Sequence, residues 1–149
     1  MKKYSPEDVK SSFSFSVPVQ VRFSDIDSYM HVNNGIFFNY LEHARASYLF
    51  EFCGWDILKI GTVVANIQID YRLPIHVMDK PSVYVRCTKI GKSSFQLEQV
   101  VMGPTEGGEV RVFAESETMM VAVDMNTMRP VPVPVEYAVK MKGDSSQEA

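Results

Sequence analysis

The sequence predicts an α+β fold in which one long helix is wrapped by an antiparallel sheet of about five strands. Three observations carry that expectation. A single segment has helical spacing, nearly all of the chain after it reads as strands, and the breaks between those strands are short and turn-like. The 149 residues suit one domain spanning 1–149, and a hydrophobic content of 46% supplies material for one core.

Taken in order, residues 1–14 are polar and are expected to fray. Residues 15–23 contain Val17, Val19 and Val21 in alternation and read as a first strand. A polar stretch follows, after which Ile36, Phe37, Tyr40, Leu41, Ala44, Tyr48 and Phe52 fall on one side at about 100° per residue. Phe38 and Leu49 widen that stripe past half the circumference, so the helix calls for wrapping as well as covering. Asn33 or Asn34 suits its cap, and Gly54 suits the position after its end. Strands are expected at residues 63–71, 82–90, 95–102 and 110–123. Leu73-Pro74, Gly91-Lys92-Ser93 and the run from Gly103-Pro104 to Gly107-Gly108 separate them. Residues 142–149 offer nothing to bury, which places the core at about 15–135 and polar tails at both ends.

Composition narrows the function. A net charge of −3 gives no global basic field to gather nucleic acid. The N-terminus lacks an apolar signal core, and no run approaches the roughly 18 apolar residues of a membrane span, so a cytoplasmic protein is the default expectation. Cys53 and Cys87 read as structural thiols, and His43 and His76 show no metal-ligand spacing, so no metal is expected.

The informative run is residues 22–34, Arg-Phe-Ser-Asp-Ile-Asp-Ser-Tyr-Met-His-Val-Asn-Asn, between a strand and the helix start. Unsatisfied backbone N–H groups at a helix N-terminus, with the positive end of its dipole, favour an oxygen that is gaining negative charge. A carboxylate seven residues earlier in a turning loop can fold back beside those amides. Acyl transfer to water is the chemistry this suggests. Asp and Asn also precede helices simply as caps, and Asp25 is read in that structural way. Glu42, two turns into the helix on its polar side, is read as a structural partner of Arg45 or Arg22.

From about residue 16 to 135 the chain resembles the 4-hydroxybenzoyl-CoA thioesterase type of acyl-CoA thioesterase, a hot-dog-fold family. The resemblance rests on Phe23, Asp25, Asp27, Asn33 and Asn34, followed by Tyr40-Leu41-Glu42-His43-Ala44-Arg45. Further along it rests on Asp70-Tyr71-Arg72-Leu73-Pro74, Lys89-Ile90-Gly91-Lys92-Ser93-Ser94-Phe95, and Asp124 with Arg129-Pro130-Val131-Pro132. The sequence departs at Met30, where many relatives have Gly, a residue that tolerates positive φ.

The resemblance implies an acyl-CoA hydrolase with Asp27 as nucleophile or general base and the backbone N–H of Asn34 polarising the thioester carbonyl. His31 and Asn33 complete the implied catalytic set, in a His-Val-Asn-Asn variant similar to plant acyl-carrier-protein thioesterases. Coenzyme A phosphates call for a basic, polar rim, for which Tyr71, Arg72, Lys92, Ser93 and Ser94 are the candidates, with Arg86 and Lys89 less specific. No cofactor is expected beyond coenzyme A as part of the substrate. The substrate is a thioester of coenzyme A or of acyl-carrier protein. Open sheet edges and the family's inter-subunit sites imply a homodimer or homotetramer. The rival readings are a hot-dog hydratase or dehydratase using Asp27 with His31, and a non-catalytic acyl-thioester binder.

Overall fold

Alternating apolar residues build five strands in the computed structural model, which describes residues 3–145. They are β1 (Phe15–Pro18), β2 (Ile60–Tyr71), β3 (Ser82–Ile90), β4 (Ser94–Pro104) and β5 (Val110–Asp124). They form one antiparallel sheet in the order β1-β3-β4-β5-β2. One face turns Val83, Val85, Phe95, Leu97, Ala114 and Ala122 toward the main core. The period of two sends Val100 and Met102 to the other face.

Against the first face lies α2 (Ile36–Ser47), a 12-residue helix continued by a five-residue π-helical turn, Tyr48–Phe52. Its buried side carries Phe37, Tyr40, Leu41, Ala44, Tyr48 and Leu49, close to the stripe read from the sequence. The wrapping is incomplete within one chain: Phe38 is 45% exposed and Phe50 74%. Gly54 has φ of +68°, as the position after a helix favours.

One polar link crosses this interior. Gln99 on β4 donates from Nε2 to the carbonyl of Leu41 at 2.9 Å and accepts from Arg45 Nη1 at 3.2 Å. Burial lowers the pKa of Arg45, and Glu42 opposes that shift electrostatically. Arg45 thus turns inward, while Glu42 stays exposed.

Three expectations need correction. The first strand stops at Pro18 and does not reach residue 23; proline has no N–H to continue the ladder, and Phe23 opens a 3-10 turn, Phe23–Asp25. The N-terminal stretch is not a frayed tail but contains α1 (Pro6–Ser12), where Ser5 and Asp8 form a capping box and Pro6 takes the first turn. Tyr4, Val9 and Phe13 pack with Val100 and Met102 on the outer face of the sheet. Tyr4 and Arg86 there share Glu98 Oε1, and the Arg86 guanidinium lies 4.7 Å from the Phe13 ring centre. At the other end α3 (Val135–Ser145) carries buried Met141 into the main core, so the packed part of the chain extends beyond residues 15–135 at both ends. Residues 1–2 and 146–149 of the expected tails lie outside the described residues.

Candidate active site

The loop between β1 and α2 is held by its own polar residues. Asp25 Oδ2 accepts from the backbone N–H of Arg22 at 3.0 Å and from the Tyr40 hydroxyl at 2.6 Å, the structural role read for it. Burial, and then the Asp25 carboxylate, push the pKa of Tyr40 well above the ordinary phenol value. Two residues on, the chain folds into a tight turn. The N–H of Asp27 donates to the His31 carbonyl at 2.8 Å, and that of Met30 to the Asp27 carbonyl at 3.0 Å.

This turn positions the Asp27 carboxylate. Its Oδ1 accepts from the backbone N–H groups of Tyr29 at 2.9 Å and His31 at 3.3 Å, while Oδ2 has no hydrogen-bond partner among the described residues. Met30 has φ of +64° to make the turn, the left-handed conformation that glycine adopts without penalty. Val32 and Asn33 then clamp the loop, donating to the carbonyls of Ile75 at 2.8 Å and Asp25 at 2.9 Å.

Gly35, not Asn33 or Asn34, takes the cap position of α2 and no side chain caps it, while Asn33 closes the turn that leads in. Its Oδ1 accepts from Gly35 N–H and its carbonyl from Ile36 N–H, both at 2.8 Å. The Asn34 carbonyl accepts from the Tyr71 hydroxyl at 2.8 Å. The Asn34 N–H, one residue before the cap position of α2, has no partner among the described residues.

These residues surround one cleft of about 500 Å³, lined by Asp27, His31, Asn33, Asn34, Tyr71 and Arg72, with Phe37 and Leu73 among its apolar walls. Six of the nine predicted site residues therefore share one depression. Arg72 is fixed there by Glu115, whose Oε2 accepts from Nη2 at 2.6 Å and from Nε at 3.1 Å. Lys92, Ser93 and Ser94 are not brought to it within one chain. Ser94 is level with Val121 on β5, whereas Tyr71 is level with Ala114, roughly 23 Å along the strand at ~3.3 Å per residue. The carbonyls of Lys92 and Ser93 instead accept from Val133 N–H, before α3, and from Ala122 N–H of β5, both at 2.8 Å. Arg86 is buried on the outer face with Glu98 and does not contribute to a rim.

Sequence reasoning missed His76 here. Its ring meets the His31 ring edge-on, with centroids 4.7 Å apart, through an isolated antiparallel bridge between the two residues. Its backbone N–H donates to buried Asp79 Oδ2 at 2.8 Å. The pairing spans the chain from the Asp27 loop to the segment after β2, so no local pattern announces it.

A carboxylate oxygen without a partner and an unbonded helix-start N–H facing one cleft suit the hydrolysis of an activated acyl group. Known proteins agree with that chemistry. FadM of Escherichia coli (strain K12), a long-chain acyl-CoA thioesterase, is 28% identical over 136 residues, 83% of this chain and 94% of that one. A relative in Bacillus subtilis (strain 168), the uncharacterized protein YsmA, is 37% identical over 92 residues, 61% of this chain and 63% of that one, so this match spans less than two thirds of its length. Among solved structures, a thioesterase from Thermus thermophilus complexed with coenzyme A and Zn is 33% identical with a TM-score of 0.75, covering 91% of this chain and 97% of that one. The 4-hydroxybenzoyl CoA thioesterase of Pseudomonas sp. strain CBS-3, at 19% identity and a TM-score of 0.79 over 86% of this chain and 99% of that one, shares the fold. The Thioesterase-like superfamily matches residues 21–141, which take in the Asp27 loop, α2 and the whole of β2 to β5. With the hot-dog sheet and helix in place, the chain is a member of that superfamily and a thioesterase by family.

Proposed function

We propose that the protein hydrolyses acyl-coenzyme A thioesters to the free carboxylic acid and coenzyme A, with the Asp27 carboxylate as nucleophile or general base. One observation carries the reading: Asp27, with Oδ2 uncommitted, and Asn34, with its N–H unbonded, line the same cleft. In this reading the thioester carbonyl oxygen sits at the Asn34 N–H, where the helix dipole favours its developing charge. Asp27 Oδ2 then attacks the carbonyl carbon, or removes a proton from a water that does. The coenzyme A thiolate departs, and a carboxylic anhydride formed by direct attack is opened by water. Thiolate is a good leaving group, so neither strong acid catalysis nor a metal is called for.

His31 serves as a proton carrier, and Asn33 acts through the turn that sets the Asn34 amide. Tyr71 and Arg72 form the wall along which the pantetheine arm leaves. FadM and the coenzyme A complex of the Thermus thioesterase support coenzyme A as the thiol. The reading places the enzyme in the cytoplasm as at least a dimer. Among the described residues, β2 forms one outer edge of the sheet, and Phe38 and Phe50 are left exposed.

The test is thiol release from short, medium, long and aromatic acyl-coenzyme A esters by the native chain and by Asp27→Asn and Asp27→Ala, with folding checked by circular dichroism. A fall of about 10²- to 10⁴-fold in kcat for both folded variants is expected. A native chain that releases no thiol from any of these esters overturns the reading.

A further inference from the structure

We infer that the groove between the N-terminal segment and β5 holds the phosphorylated nucleotide end of coenzyme A, through Lys3, Lys10 and Arg111. The inference rests on the thioesterase reading and extends it to the part of the substrate remote from the reacting carbon.

The groove encloses about 770 Å³, more than the Asp27 cleft. Lys3, Tyr4 and Lys10 form one wall, and Arg111 and Val112 of β5 form the other. Arg72 and Leu73 line both this groove and the Asp27 cleft, so a ligand can pass from one to the other without leaving the surface.

Charge distinguishes the groove. The chain carries a net charge of −3, yet four of its cations face this one depression. Of its three carboxylates, Glu115 is committed to Arg72 and to the N–H of Tyr4. Glu109 lies 3.6 Å from Arg111 with both side chains exposed, a contact that a phosphate can replace. Glu7 remains, exposed in the first turn of α1. Lys3, Lys10 and Arg111 are thus left to meet phosphate oxygens, and Leu73, Val110 and Val112 offer an apolar wall to a purine ring.

The basic hairpin that the sequence offered for this task lies too far along the sheet to serve within the same chain. Lys3 and Lys10 precede residues 21–141, where the family match runs, while Arg111 and Arg72 lie within it.

Two probes separate the ends of the substrate. Adenosine 3′,5′-bisphosphate carries the nucleotide end without a thioester, and an acyl-N-acetylcysteamine carries the thioester without a nucleotide. Calorimetric titration of the native chain with the bisphosphate is expected to saturate, and Kd is expected to rise about tenfold in Lys10→Glu and in Arg111→Glu. The ratio of kcat/KM for acyl-coenzyme A over the truncated ester should fall by a similar factor, chiefly through KM. Lys59→Glu, a charge reversal at an exposed site away from the groove, should keep both values. Circular dichroism confirms that each variant folds, and Lys10→Gln repeats the comparison without reversing charge. Truncated-ester hydrolysis with no bisphosphate binding, or with Kd and ratio unchanged in the variants, overturns the groove and leaves the thioesterase reading standing. Bisphosphate binding that the variants lose, without hydrolysis of either ester, supports the groove and sinks that reading.

Discussion

The Tyr40 hydroxyl donates to Oδ2 of Asp25 at 2.6 Å, which ties the loop carrying Asp27 to the second turn of α2. Removing that hydroxyl in Tyr40→Phe is expected to cost about 1–3 kcal/mol in urea unfolding at pH 7, the usual range for a buried bond to a charged group. A fall in kcat should accompany it, because the turn bearing Asp27 loses one of its anchors.

The same bond sets an alkaline limit. Burial and Asp25 raise the folded pKa of Tyr40 above its ordinary 10.0, so its contribution is complete below pH 10. As pH rises further the unfolded chain loses this proton first, and stability declines through the folded value. Urea midpoints measured from pH 8 to 11 should drop less steeply above pH 10 in Tyr40→Phe than in the native chain. Tyr4, raised by burial and by Glu98, will keep part of the slope.

Met30→Gly should stabilise the protein. An L side chain at φ of +64° costs about 1–2 kcal/mol, and the extra freedom of glycine in the unfolded chain returns roughly 0.5–1 kcal/mol of that. A gain approaching 1 kcal/mol, read as a higher Tm, is the expected result. A lower Tm would mean that the half-exposed Met30 side chain makes contacts worth more than the backbone strain.

Glu115→Ala is expected to cost about 1–3 kcal/mol, because Arg72 keeps only Asp70, at 3.5 Å, and the Tyr4 N–H loses its acceptor. Chemical denaturation gives the magnitude. Limited proteolysis should show earlier cleavage near residues 3–14, where the lost bond held the N-terminal segment.

Deleting residues 1–13 should uncover Val100 and Met102 and the Tyr84 ring that Phe13 meets edge-on. Increased binding of a hydrophobic dye and a lower Tm are expected, together with a tendency to associate. A truncated chain with unchanged dye binding would show that the outer face is covered in some other way.

Local pattern made most of the sheet and the helix legible. The limits of β3 match the expected 82–90, and the apolar stripe on α2 faces the sheet as its spacing implied. The N-terminal helix escaped because only Tyr4, Val9 and Phe13 mark its buried side, too sparse a stripe to stand out, although Ser5-Pro6-Glu7-Asp8 is a recognisable helix start. The geometry of the Asp27 loop was legible because its residues lie within a dozen positions of one another. Its contact with His76 was not, since that pairing depends on how the segment after β2 returns across the loop. The distance of Lys92, Ser93 and Ser94 from the cleft within one chain was hidden for the converse reason: order along the chain does not say which end of a sheet a hairpin reaches.

Gln99 and the Leu41 carbonyl give α2 something that its greasy face cannot. A surface of interchangeable apolar side chains tolerates sliding by one helical turn, about 5.4 Å, with little change in buried area. A side-chain amide that must find one carbonyl, while Arg45 must find that same amide, works as an indexing pin. It fixes both the screw angle and the axial setting of the helix, and so dictates where the mouth of α2 stands relative to a loop that the pin never touches.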